Sequence, residues 1–216
     1  MSSRENILQR IRNETSTIDS PERPPAPEVW PSTAPSTDEL IERFTSELET
    51  VQGEVVRCTS LDDAQAKLGT LLDENDCGTI ASIDRPACRE LLASLPEDRV
   101  EWENADWVPK QLASIPAGLV DADNLLADTG SCMVSCENAQ QRLLCYLPPI
   151  CFVVARVDQL AEHLPAAWPS ISPRVAESDR RGEFVIITGP SRTADIEKIL
   201  ILGVHGPKRL IVLLID

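Results

Sequence analysis

The chain has 216 residues, 35 of them acidic and 20 basic, for a net charge of −15; hydrophobic residues make up 42% and aromatics only 4%. Such a length and composition fit one medium globular domain with extensions, whose core of Leu, Ile, Val and Ala needs no metal or disulfide staple. The negative charge argues against nucleic acid as a partner, and no apolar run approaches the ~20 residues of a membrane span.

The N-terminal stretch "MSSRENILQRIRNE" has no apolar core of the signal-peptide kind. The expectation is a soluble, cytoplasmic protein. Residues 4–14 predict a short helix with Ile7, Leu8 and Ile11 on one face. Residues 15–37 hold prolines at 21, 24, 25, 27, 31 and 35, so they read as an extended linker. The division expected is therefore an N-terminal helix (1–14), a Pro-rich linker (15–37) and one domain (38–216).

From Thr37 the pattern turns globular. "TDELIERFTSELETV" sets Leu40, Ile41, Phe44, Leu48 and Val51 at helical spacing with Thr37 as N-cap. "EVVRC" (54–58) and "GTIASI" (78–83) read as strands, and 60–75 and 85–95 as helices, the latter started by Pro86. Strand–helix alternation implies an α/β fold with a mostly parallel sheet. In the middle, "GLVDADNLLADTGSCMVSC" and "RLLCYLPPICFVVAR" read as short, partly antiparallel strands. Residues 163–182 read as a surface helix or loop. The end reads as a strand at 183–188, a helix from about Thr193 to Leu202, and a fully buried strand at 209–215.

That terminal pattern carries the main chemical signal. A strand–turn–helix with Gly189-Pro190 at the turn would put Ser191, Arg192 and Thr193 at a helix N-terminus. Free amides, two hydroxyls and a guanidinium there suit a carboxylate or phosphate. Helix capping by Ser191 or Thr193 is the commoner use of such residues. Asp195 and Glu197 stand about 200° apart on a helix and cannot act as one acid/base pair; either alone could face a cleft. His205 lies between Val204 and Gly206-Pro207, and His163 reads as surface or packing. Asp128-Thr129-Gly130-Ser131 either lines a pocket or makes an Asx/ST turn.

Seven cysteines (58, 77, 88, 132, 136, 145 and 151) form no C-x-x-C pair. They lack clustered iron–sulfur spacing and read as small buried hydrophobes. No Walker, G-x-G-x-x-G, G-x-S-x-G or H-E-x-x-H pattern occurs.

Four stretches together resemble one family. "ADTGS" (127–131), "LLCYLPP" (143–149), "TGPSRTADIE" (188–197) and "LGVHGP" (202–207) are similar, in this order, to the LutC/YkgG lactate utilization proteins. The likeness covers about residues 38–216. It implies a LUD domain with the NagB/RpiA/CoA-transferase-like α/β fold, and a place in a three-component system that oxidises L-lactate to pyruvate. It also implies no cofactor or metal in this chain, iron–sulfur clusters in the two partner subunits, and a small carboxylate substrate. A homo-oligomer stays open. Carried over by motif, the substrate-binding candidates are Thr129, Gly130, Ser191, Arg192 and Thr193. Asp195, Glu197 and His205 are the catalytic candidates. Two departures stand out: Ser135-Cys136-Glu137 where the family usually shows Ser-Gly-Pro, and Cys151 where it often has histidine.

Three functions compete on the sequence. The first is the cluster-free subunit of a lactate-oxidising complex, with Arg192 on the carboxylate and His205 near the hydroxyl. The second is a stand-alone isomerase or acyl/CoA transferase acting on a phosphorylated sugar or thioester. The third is a structural or regulatory subunit without chemistry of its own.

Overall fold

The computed structural model describes residues 3–15, 29–31, 33–175, 183–194, 200–203 and 206–216. The chain divides into two units, Met1–Pro31 and Ser32–Asp216. The first contains α1 (Ser3–Thr15).

Regular structure in the second unit begins with α2 (Thr37–Thr50). Its N-cap is Ser36 rather than Thr37. The Ser36 hydroxyl accepts from the Glu39 amide at 3.3 Å, and the Glu39 carboxylate accepts from the Ser36 amide at 2.7 Å. Only Ser36 has an acid three residues on to close this reciprocal box; Thr37 has Leu40 there.

There follow β1 (Glu54–Cys58), α3 (Leu61–Glu74), β2 (Ile80–Ser82), α4 (Pro86–Leu92), β3 (Val100–Trp102), the single turn α5 (Pro109–Leu112) and β4 (Ala117–Asp121). The middle supplies β5 (Asn124–Leu126), β6 (Ser131–Cys136), α6 (Ala139–Leu144), β7 (Ile150–Arg156), β8 (Leu160–Ala161) and α7 (Leu164–Val175). The end adds β9 (Glu183–Ile187), β10 (Arg192–Ala194), β11 (Leu200–Leu202) and β12 (Arg209–Ile215).

Six parallel strands form the main sheet in the order β1-β12-β7-β4-β2-β3. A second sheet runs β8-β5-β6-β9; β5–β6 and β6–β9 are antiparallel, and β5–β8 is parallel. The fold is thus a mostly parallel sheet flanked by helices, with an antiparallel-rich portion.

The two central strands are apolar along their length because helices cover both faces. Leu210–Ile215 and Ile150–Ala155 are buried throughout. Phe44 and Leu48 of α2, Leu68 and Leu72 of α3, and Leu91 of α4 complete the core. Each such side chain contributes about 1.5–3 kcal/mol on burial.

Three expectations are corrected. "RLLCYLPPICFVVAR", expected with the rest of the middle to give short, partly antiparallel strands, begins in a helix. Asn138 caps α6 through the Gln141 amide at 2.9 Å, and only Ile150–Arg156 is a strand, central and parallel. The strand at 183–187 pairs antiparallel with β6 instead of extending the parallel sheet. Where the pattern predicts a helix from Thr193 to Leu202, Thr193–Ala194 and Leu200–Leu202 belong to the antiparallel pair β10–β11, in register Arg192↔Leu202, Thr193↔Ile201 and Ala194↔Leu200, and residues 195–199 lie outside the described residues. A short apolar run such as "ILIL" satisfies helix and strand periods alike. Here the pairing is set at the hairpin base, where the Gly203 amide donates to the Ser191 carbonyl at 2.9 Å and Gly203 takes φ +73°.

Candidate functional site

Thr129, Ser131 and Thr188 form a chain of hydroxyls. Thr129 Oγ1 lies 2.8 Å from Ser131 Oγ, and Ser131 Oγ lies 2.8 Å from Thr188 Oγ1. Thr129 also donates to Asp128 Oδ1 at 3.3 Å. The chain ties the loop before β6 to the end of β9, two segments that the sequence keeps far apart.

Gly130, between the two hydroxyls, meets α2 backbone to backbone. It holds φ +60°, and a Cβ there would stand 2.3 Å from the Leu48 amide nitrogen. Only glycine tolerates both demands. Gly189 repeats the arrangement at φ +75° against Val51. Both glycine-bearing motifs are therefore seated on the end of α2.

Ser191 joins the last two motifs. Its amide donates to the Pro207 carbonyl at 2.8 Å. A Cβ on Gly206 would come within 2.8 Å of Ser191 Cβ and 3.2 Å of its Oγ, with the Tyr146 carbonyl at 3.9 Å. The Lys208 amide donates to the Pro149 carbonyl at 2.8 Å. So "LLCYLPP", "TGPSR" and the Gly-Pro that precedes β12 meet at the amino ends of β7 and β12.

This placement corrects the expectation of a site at the carboxyl end of a parallel strand and at a helix N-terminus. Ser191 follows an antiparallel strand, and Arg192 and Thr193 lie in β10. Arg192 is exposed. Asp195, Glu197 and His205 lie outside the described residues, and the rotation argument for the two acids assumed a helix.

The carboxyl ends of the parallel strands carry a different feature. A cleft of about 300 Å³ opens past β4, β7 and β12. Val154 and Ile215 are among its apolar lining, and Glu90, Asp121, Arg156, Asp158 and Gln159 are its polar lining. Ligands of open α/β sheets bind at this end. Among the described residues, none of the sequence-derived site residues lines the cleft. Its residues had a signal nonetheless: Asp121 and Arg156 are the first charged residues after the apolar runs "GLV" and "CFVVA".

Nearby, Arg85 Nη1 donates to Asp121 Oδ1 at 3.0 Å and Nη2 to Ser135 Oγ at 3.2 Å. These bonds join the two sheets. Pro86, just after Arg85, starts α4 and fixes the direction of the turn.

All seven cysteines are free and buried. Among the described residues no group of three His, Cys, Asp or Glu is placed to hold a metal ion. Burial pushes the Cys88 and Cys151 thiols up to about 12, and also raises those of Cys58, Cys77 and Cys132. His163 is buried and not a surface residue. Its Nδ1 accepts from the Ala166 amide at 3.1 Å and so caps α7, while Nε2 has no partner among the described residues.

The LUD domain model matches residues 41–215. The chain belongs to the LUD domain family. Lactate utilization protein C of Bacillus pumilus is 28% identical to this LUD protein over 194 residues, spanning 84% of this chain and 80% of that one. The protein of the same name from Macrococcus caseolyticus is 21% identical and spans 98% and 93%. A DUF162 family protein of Deinococcus radiodurans has the same fold, with a TM-score of 0.64 at 18% identity over 84% of this chain and 99% of that one. Among the described residues no helix is long and apolar enough to cross a membrane.

Proposed function

We propose that this LUD protein takes part in the oxidation of L-lactate to pyruvate. It would be the component without iron–sulfur clusters, working with cluster-bearing partner proteins. Its membership of the family and its alignment with proteins named for lactate utilization support this reading. The observation that carries it is the meeting of Ser191 with Gly206 and Pro207, which draws two of the signature motifs into one neighbourhood.

In this reading the junction holds a small 2-hydroxy acid. Arg192, exposed on its strand, grips the carboxylate as a bidentate fork. The Ser191 and Thr193 hydroxyls add donors, and the Thr129–Gly130 turn walls the site. His205 takes the proton of the substrate hydroxyl, and Asp195 or Glu197 orients that imidazole. Oxidation of lactate also breaks the Cα–H bond: its two electrons pass to the partner proteins and its proton goes to solvent.

A second placement of the ligand is favoured by the cleft at the carboxyl ends of the strands, where Arg156 has no ion-pair partner among the described residues. There Arg156 would be the carboxylate grip.

Affinity purification of the tagged chain from its native cell, coupled to growth of a deletion strain, tests the proposal. We expect two cluster-bearing proteins to co-purify and growth on L-lactate to be lost. Undiminished growth on L-lactate in a strain lacking other lactate routes overturns it.

A further inference from the structure

The cleft at the carboxyl ends of β4, β7 and β12 carries charges of both signs. Among the described residues its cation is Arg156, and Glu90, Asp121 and Asp158 are its carboxylates. Asp121 is ion-paired with Arg85 at 3.0 Å, whereas Arg156 forms no ion pair with Glu90 or Asp158. Glu90, Arg156 and Asp158 are exposed, so a ligand reaches all three without rearrangement of the core.

The walls of the cleft are fixed. The Arg156 amide donates to Gln159 Oε1 at 2.6 Å, and Gln159 Nε2 donates to the Ala122 carbonyl at 2.5 Å. The turn after β7 is thereby pinned to the residue that follows β4. Leu61 and Ala87, from the first turns of α3 and α4, join Val154 and Ile215 as apolar lining. A volume of about 300 Å³ is at the small end of the range for small-molecule sites.

The charge balance selects the ligand. A simple organic anion on Arg156 would stand among three like charges, in a chain whose net charge is already −15. A simple amine would leave the guanidinium without an acid. A zwitterion with an apolar body answers both charges and the apolar lining together.

We propose that this cleft binds an α-amino acid with a branched aliphatic side chain. Arg156 forks the carboxylate. Glu90 and Asp158 accept from the ammonium, with Asp121 adding to the negative field. The side chain lies against Leu61, Ala87, Val154 and Ile215. This rests on the reading that places the 2-hydroxy acid at the motif junction, because a lactate held in the cleft would claim Arg156.

Isothermal titration calorimetry on the purified full-length chain at neutral pH tests it. L-leucine carries both charges. Leucic acid has a hydroxyl in place of the ammonium, and isoamylamine lacks the carboxylate. L-leucine is expected to bind once per chain. Leucic acid and isoamylamine should each bind at least about 10-fold more weakly, because each forfeits a charge-assisted contact. Arg156→Ala, and Glu90→Gln combined with Asp158→Asn, should each weaken leucine by a similar factor; a native circular dichroism spectrum and thermal midpoint confirm that these surface variants fold. Arg192→Ala should leave leucine binding unchanged. Leucic acid binding as well as leucine, and lost in Arg156→Ala, overturns the inference and the junction reading with it, since the cleft is then the 2-hydroxy acid site. Isoamylamine binding as well as leucine overturns the inference alone. So does leucine binding that survives Arg156→Ala, or an absence of binding by L-leucine, L-isoleucine and L-valine.

Discussion

Ser191 donates its amide to the Pro207 carbonyl at 2.8 Å, and its own carbonyl accepts from Gly203 at 2.9 Å. One residue thereby closes the base of the β10–β11 hairpin and fixes the approach to β12. The motif residues on either side of this stitch are held together by main-chain bonds, so side chains nearby remain available for a ligand.

Gly130 reports on the seat beneath that region. The φ of +60° and the 2.3 Å approach to the Leu48 nitrogen leave no room for a methyl group. Gly130→Ala should cost about 2–5 kcal/mol, combining left-handed strain and overpacking. Urea unfolding measures it; an unchanged midpoint contradicts the close packing of this turn on α2.

Ser131 is 2% exposed and stands between two other hydroxyls, each 2.8 Å away. Ser131→Ala strips Thr129 and Thr188 of that partner. The expected loss is about 1–3 kcal/mol. A double-mutant cycle with Thr188→Val should recover part of it, because both ends of one bond are then removed.

Acid stability should depend on carboxylates whose titration is lowered in the folded chain. The Ser36 amide and hydroxyl lower Glu39, Lys67 and the Thr59 amide lower Asp63, and Arg89 lowers Asp84. For a lowered group, the stability it adds is present above the ordinary carboxylate range and is lost as pH falls through that range toward the folded value. Unfolding midpoints measured from pH 7 to pH 2 should therefore drop at the acid end. Glu39→Gln should flatten part of the drop by lowering the neutral-pH plateau, with little change at the acid end, where Glu39 is already uncharged. An acid slope unaffected by Glu39→Gln contradicts the role of the capping box.

Much of the scaffold was legible in the chain. Amphipathic periods marked α2 and α3, and the unbroken apolar run of β12 announced a strand buried on both faces. The last motif was legible as a candidate anion site but not as a shape. The apolar run "ILIL" satisfies a helical period and a strand period equally well, and for Arg192–Ala194 and Leu200–Leu202 the pairing is closed by main-chain bonds from Ser191 to Gly203 and Pro207, which no local pattern encodes. The same limit hid β7. Its neighbours β4 and β12 are remote in sequence, so "RLLCYLPPICFVVAR" gave no sign that its second half lies at the centre of the parallel sheet.

Which arginine serves the chemistry is decided by complementing a strain that lacks this protein with wild type, Arg192→Ala or Arg156→Ala. Conversion of labelled L-lactate to pyruvate is then measured at matched soluble protein levels. The motif-junction account predicts full conversion with wild type and with Arg156→Ala, and a loss of at least about 100-fold with Arg192→Ala, the order expected for removing a charged carboxylate clamp. Normal conversion with Arg192→Ala, or the loss appearing with Arg156→Ala instead, contradicts it.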